Sequence, residues 1–185
     1  VCYSLSVHAR PRRSPAVAGV VVLAVGAVLP DLVDKPLAWQ FGLFETGYAV
    51  AHSAFVAVPA VLAVAVLARR RGAGVAGGAF GVGYLLHLVG DVVPASVSRR
   101  TLDLSPVLWP VSDRVPIDAG GSLAGSTAAL FRQYVAQVVA LELTLVVALQ
   151  LGSVVFGTVL WVFDGCPGVA TVAGPLRRLV AFRNR

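Results

Sequence analysis

Four polar clusters lie where long apolar runs of this sequence begin or end. His87 and Asp91 are four residues apart, so on a helix they share one face and can hold a single ion between them. The other clusters are Asp31 with Asp34, His52 with Ser53, and Glu142. Nitrogen and oxygen donors grouped at one depth of a membrane are typical of a metal or proton site.

Each cluster also has a purely structural explanation. His87 and Asp91 can form a hydrogen bond that locks a helix end, and the two aspartates of the first cluster can cap a helix N-terminus. His52 can be satisfied by a neighbouring carbonyl. Glu142 can be a ligand, a general base or a buried acid paired with Arg132. The convergence of the clusters is what favours a shared site.

The composition indicates a membrane protein. Of the 185 residues, 57% are hydrophobic and only 13% are charged, and the mean hydropathy is +0.83. A soluble domain carries about a quarter charged residues, because water must solvate its surface. The net charge is +6, but the arginines cluster beside apolar runs, which favours membrane topology over nucleic-acid binding. We therefore expect a lipid bilayer as partner and no nucleic acid.

The apolar runs predict an all-α, polytopic membrane protein with about four transmembrane helices in a single domain, residues 1–185. The runs are Ala16–Leu29, Gly47–Leu67, Ala73–Pro94 and Tyr134–Phe163. The first run is short for a span of about 20 residues, and Pro30 is expected to end or kink it. The polar segments expected outside the membrane are 1–15, 95–132 and 164–185.

The distribution of basic residues predicts the orientation of these helices. With both termini in the cytoplasm, the inner segments hold ten arginines, whereas the outer side holds Lys35 and four arginines. This imbalance has the direction that the positive-inside rule requires. The four polar clusters would then lie together in the outer half of a multi-pass protein of the cell membrane.

The third run is rich in glycine. Gly74 with Gly78 and Gly77 with Gly81 form two overlapping GxxxG spacings. Small residues four apart let two helix backbones approach closely. The spacing indicates helix packing and also permits a homo-oligomer.

Four short motifs follow one another in a characteristic order. They are Leu29-Pro30-Asp31-Leu32-Val33-Asp34, Ala51-His52-Ser53, His87-Leu88-Val89-Gly90-Asp91 and Leu108-Trp109-Pro110-Val111-Ser112. This order resembles the YdjM-like family, whose pattern is PD-x-D or PD-x-x-D, THS or AHS, H-x-x-x-D and LWP-x-S. The match extends over residues 15–145. Many members carry an arginine shortly before the His-Ser pair, and this chain has none there.

The resemblance implies a membrane-bound, metal-dependent hydrolase. The family is regarded as distantly related to the all-helical zinc phospholipases C and nucleases, which implies hydrolysis of a phosphoester, such as that of a lipid. It also implies metal ligation by Asp31, His52, His87 and Asp91. The cofactor is then a divalent ion, with zinc favoured over manganese or iron.

The remaining polar residues have expected roles around that ion. Glu142 and Asp34 are the expected catalytic groups, and Ser53 and Asp113 are expected to support the ligands. The residues expected to bind an anionic substrate are Arg99, Arg100 and Arg114. An alternative function is a non-enzymatic membrane protein, in which the same groups transport a metal ion or protons, or hold the helices together.

Overall fold

All of the described secondary structure is helical. The computed structural model describes residues 17–112, 122–140 and 144–163, and these contain no strand. The elements are α1 (Val17–Trp39), α2 (Ala54–Arg70), α3 (Gly74–Arg99), a 3₁₀ helix (Ser105–Val107), α4 (Leu123–Val139) and α5 (Leu145–Phe163). The prediction of an all-α fold is therefore confirmed.

The first helix does not end at Pro30. Helix α1 has 23 residues and contains both Pro30 and Pro36. A proline inside a helix removes one backbone hydrogen bond, a cost that tertiary packing can offset. The continuation past Pro30 carries Asp31 and Asp34 on the last turns of α1, and so it sets the position of both carboxylates.

The fourth apolar run is also divided differently from the prediction. Helix α4 begins at Leu123, inside the segment predicted as a polar loop, because the Ser122 hydroxyl caps it by accepting a hydrogen bond from the Gly125 amide at 3.1 Å. It ends at Val139, and α5 begins only at Leu145. The run is thus not one continuous helix. Glu142 lies between the two helices, outside the described residues.

Two of the described helices, α3 and α5, are long and apolar enough to cross a membrane. Helix α2 has only 17 residues, and the second half of α1 carries two aspartates and Lys35. The four-span topology is therefore not confirmed. The orientation with both termini in the cytoplasm stays a prediction, since residues 1–16 and 164–185 are outside the described part of the chain.

Helix α3 packs most extensively against α1, and glycines bring their backbones together. A Cβ atom added to Gly83 would lie 2.1 Å from the Leu23 carbonyl oxygen, and one added to Gly26 would lie 2.3 Å from the Phe80 carbonyl oxygen. No side chain fits at either position without a shift of backbone. The close approach of α1 and α3 therefore depends on these two glycines.

The glycines predicted to support helix packing lie between two helices of the same chain. A Cβ on Gly77 would lie 2.6 Å from the Ala68 Cβ, and one on Gly81 would lie 2.8 Å from a Val61 methyl carbon, both on α2. In contrast, a Cβ on Gly78 would meet nothing within 4 Å. Gly77 and Gly81 thus support the α2–α3 contact.

Candidate metal centre

Three potential metal ligands from separate parts of the chain converge at one place. Asp31 lies on α1, His52 in the loop before α2, and His87 on α3, and their donor atoms all lie within 4.8 Å of one another. The two histidine Nε2 atoms are 3.2 Å apart. The Asp31 Oδ1 atom is 3.4 Å from the His52 Nε2 and 3.7 Å from the His87 Nε2. This arrangement can hold one metal ion.

Asp91 adds a fourth donor atom to this group. Its Oδ2 atom is 3.5 Å from the His52 Nε2 and 3.4 Å from the His87 Nε2, yet it is buried and forms no hydrogen bond within the described residues. A buried carboxylate oxygen without a donor or a cation is costly. The unsatisfied oxygen is therefore independent support for a cation at this position.

The separations between the donor atoms fit a tetrahedral ion. Ligands at about 2.0–2.1 Å from zinc, in tetrahedral geometry, are about 3.4 Å from one another. The three separations among the donor atoms of Asp31, His52 and His87 are 3.2, 3.4 and 3.7 Å, and the Asp91 Oδ2 lies 3.4–3.5 Å from the two histidines. The donor set, two imidazole nitrogens and carboxylate oxygens, also matches the preferences of zinc.

Asp34 fixes the orientation and the tautomer of His52. Both side chains are fully buried, and the Nδ1–H of His52 donates to the Asp34 Oδ2 at 2.8 Å. The proton on Nδ1 leaves the Nε2 lone pair facing the other donors. A carboxylate behind a ligating histidine is the usual support of a metal site, because it orients the ring and raises its basicity.

Asp34 also organises the loop that carries His52. Its two oxygens accept hydrogen bonds from the backbone amides of Ala49 at 2.9 Å, Ala51 at 3.0 Å and His52 at 3.0 Å. These bonds satisfy the buried carboxylate and hold the loop in one conformation. The sequence predicted a catalytic role for Asp34, and the described geometry makes it the residue that positions His52.

Two further hydrogen bonds hold the same loop from other directions. The Tyr84 hydroxyl on α3 donates to the Ala51 carbonyl at 2.6 Å, and the Ser53 hydroxyl donates to the Trp109 carbonyl at 2.6 Å. The Trp109–Pro110 peptide bond is cis. The LWP-x-S segment therefore touches the centre indirectly, through Ser53.

The centre is closed on one side and open on the other. The side chains of His52 and Asp34 are 0% exposed, whereas those of His87, Asp91 and Asp31 are 17%, 22% and 30% exposed. Among the described residues, the donors are therefore accessible from the side of Asp31, His87 and Asp91.

Lys35, the one lysine of the chain, lies on this open side. Its ammonium group pairs with the Asp31 Oδ2 at 2.5 Å, and the Oδ1 of the same carboxylate faces the histidines. Lys35 thus places a positive charge in direct contact with Asp31, a candidate metal ligand.

Two of the three predicted substrate-binding arginines, Arg99 and Arg100, lie at the end of α3, beyond the centre. Arg99 is exposed and its Nε pairs with the Asp103 Oδ2 at 3.1 Å, and Arg100 caps the end of α3 with a φ of 56°. Along α3, Arg99 is eight residues beyond Asp91, a distance of about 12 Å. The predicted residues that lie outside the described part of the chain are Asp113, Arg114 and Glu142.

The sequence interpretation missed the contributions of Tyr84 and Lys35. Tyr84 stands three and seven residues before His87 and Asp91, a spacing that places all three on one helix face. Lys35 follows Asp31 by four residues, which is the usual spacing of an ion pair on a helix. Both signals are present in the sequence.

Comparisons with known proteins give one match. The family model described as YdjM inner membrane protein matches residues 1–163. Neither the curated proteins nor the solved structures contain a match. The matched segment includes every residue of the candidate metal centre.

Proposed function

The chain belongs to the YdjM inner membrane protein family, and on that basis we propose that it is a multi-pass membrane hydrolase that uses a divalent metal ion to cleave phosphoesters. The observation that carries the proposal is the convergence of Asp31, His52 and His87, with donor atoms within 4.8 Å of one another. The open side of the centre supports access for a substrate, and the unsatisfied Asp91 oxygen beside it supplies a group able to accept a proton.

In this proposal three residues hold the ion and a fourth supports them. Asp31, His52 and His87 are the ligands, and Asp34 positions His52. A catalytic zinc site typically has three protein ligands and one position left for water or substrate. A bound divalent ion would supply Lewis acidity, which activates water and polarises a phosphoryl oxygen.

The remaining groups then have distinct roles in hydrolysis. Asp91, expected from the sequence to be a ligand, is proposed as the general base that accepts a proton from the attacking water. The water oxygen forms a bond to phosphorus, the bond to the ester oxygen breaks, and the leaving alkoxide takes up a proton from solvent, to which Asp91 afterwards releases the proton that it accepted. Lys35 is proposed to bind an anionic oxygen of the phosphoester from the open side.

Hydrolysis by purified protein, with and without Asp91, tests this assignment. We expect full-length protein in a maltoside detergent to hydrolyse bis(p-nitrophenyl) phosphate with zinc or manganese, and to lose this activity with a chelator. Removal of a general base lowers the rate about 10²–10⁴-fold. We therefore expect Asp91→Asn to lose at least about a hundredfold in kcat while its metal content, measured by mass spectrometry, stays the same.

Asp91→Asn also discriminates the non-enzymatic alternative. If Asp91 is a fourth ligand, the ion has four protein donors, as in structural zinc sites. That alternative is favoured by the similar distances of Asp91 from both histidines. It predicts that Asp91→Asn loses the ion and that the wild-type protein hydrolyses nothing, and this pair of results would overturn the enzyme proposal.

The supporting role of Asp34 gives a separate prediction. Both oxygens of Asp34 accept hydrogen bonds, and an asparagine offers only one acceptor oxygen. In Asp34→Asn the side-chain NH₂ group would therefore point at a buried N–H donor. We expect metal affinity to fall about 10–100-fold, as for other residues behind a metal ligand. We also expect the free energy of unfolding to fall by about 1–3 kcal/mol, because buried donors lose their acceptor.

Asp103→Asn is the matched control for this variant. Asp103 is also buried and accepts a backbone hydrogen bond, from the Ser105 amide at 2.9 Å, but its carboxylate pairs with Arg99 at the end of α3. Competition with a chromophoric chelator measures metal affinity, and thermal unfolding measures stability. Equal metal affinity of Asp34→Asn and Asp103→Asn would contradict the role given to Asp34.

A further inference from the structure

A cavity of about 270 Å³ lies beside the metal centre, between the loop that joins α1 to α2 and the segment around Trp109. Its wall includes Phe44, Glu45, Tyr48 and Trp109. The Tyr48 ring packs against the His52 ring, with centroids 4.8 Å apart, so one wall of the cavity contacts a proposed metal ligand. This volume suits a small headgroup and is below the range of drug-sized ligands.

The cavity wall combines aromatic rings with one carboxylate. The rings of Phe44 and Trp109 meet nearly at right angles, with centroids 5.7 Å apart and planes inclined by 76°, so they form a corner. Tyr48 adds a third ring, and the exposed Glu45 adds the negative charge. A lining that includes three aromatic residues and an acid is suited to a cation with an apolar surface.

We propose that this cavity binds an organic ammonium group, the class found in amine-bearing headgroups of lipids and in small soluble phosphoesters. Aromatic faces attract an ammonium through their quadrupole, and a carboxylate attracts it through its charge. A neutral polyol headgroup is attracted neither by the aromatic faces nor by the carboxylate. The inference rests on the proposed function, because Tyr48 in the cavity wall packs against the ring of His52, a proposed metal ligand.

The surroundings of the cavity favour a lipid as the source of this group. Phe41 and Leu43, on the same loop, are 68% and 64% exposed, and Leu43 also lines the cavity. Exposed apolar side chains beside an aromatic-lined cavity suit the interface between the bilayer and water. An amphiphile could therefore place its chains in the bilayer and its headgroup in the cavity.

Binding of choline tests the cavity without the metal. The probes are choline and its neutral isostere 3,3-dimethylbutanol, titrated calorimetrically into full-length protein in maltoside detergent after removal of metal by a chelator. We expect choline to bind at least tenfold more tightly than the isostere. Glu45→Gln should reduce this preference to about threefold or less, whereas Glu45→Asp should retain most of it. Equal binding of the two probes, or an unchanged preference in Glu45→Gln, would overturn the inference.

An assay of hydrolysis by the metal-loaded protein distinguishes failure of the cavity inference from failure of the proposed enzyme function. A preference for choline without any phosphoester hydrolysis leaves the cavity supported and refutes the enzyme. Hydrolysis without a choline preference refutes the cavity alone. Faster cleavage of phosphatidylethanolamine than of phosphatidylglycerol in nanodiscs supports a lipid source, and cleavage of soluble glycerophosphocholine alone supports a soluble one.

Discussion

Replacement of His87 by alanine is expected to remove the metal ion from the protein. Three ligands share the binding free energy of the ion, which for zinc sites of this kind is on the order of 10 kcal/mol or more. Loss of one ligand then lowers the affinity by about a hundredfold or more, and loss of hydrolytic activity should follow. The measurement is the metal content by mass spectrometry after dialysis against a competing chelator.

His87 is the better of the two histidines for this experiment. Its ring is 17% exposed, whereas removal of the fully buried His52 would leave the equally buried Asp34 without its side-chain partner. His8→Ala is the matched control, because His8 is the third histidine of the chain and precedes the first apolar run. Metal retained in His87→Ala at the level of His8→Ala would refute the centre, provided that both variants have the circular dichroism of the wild type.

Gly83→Val is expected to abolish the folded state. The added Cβ would lie 2.1 Å from the Leu23 carbonyl oxygen, so the backbones of α1 and α3 must separate. Overpacking typically costs about 1–3 kcal/mol and costs more where backbone, not a side chain, must move. Gly83 lies one turn before His87, and α1 carries Asp31, so the separation also pulls two metal ligands apart.

Gly78→Val provides the comparison on the same helix. A Cβ at Gly78 meets nothing within 4 Å, and the change in helix propensity is the same at both positions. Size-exclusion chromatography in detergent and thermal unfolding report the yield and the midpoint of each variant. We expect Gly78→Val to remain monodisperse and Gly83→Val to aggregate. Similar thermal unfolding midpoints for the two variants would contradict the close approach of α1 and α3 at Gly83.

The donors of the centre could be proposed from the sequence because they lie at the ends of apolar runs that the predicted topology brings to one side of the membrane, whereas the spacing within each cluster left a structural explanation open. His87 and Asp91 share a helix face at i, i+4, and His52 is the one histidine beside the second apolar run. The role of Asp34 could not be predicted in this way. It depends on three backbone amides of a loop 15 to 18 residues away, and the direction of a backbone N–H in a turn is not encoded in residue type.

The helix boundaries show where local signals fail. Pro30 predicts an end, but packing of α1 along α3 keeps the helix intact for two further turns. The apolar character of Tyr134–Phe163 predicts one helix, but hydropathy measures only affinity for lipid and does not specify that one helix ends at Val139 and the next begins at Leu145. Counting of apolar runs therefore gave four spans, whereas two described helices satisfy the criteria of length and hydropathy.

The three ligands of the centre are far apart in sequence, with His52 and His87 separated by 35 residues. An ion held by all three joins α1, the following loop and α3 as a crosslink would. Binding to the folded state alone adds to the stability of that state. Binding of a divalent ion would thereby couple metal supply to maturation of the protein: a chain inserted into the bilayer under metal starvation keeps the Asp91 Oδ2 buried without a hydrogen bond from the described residues, and would be less stable than the metal-loaded form.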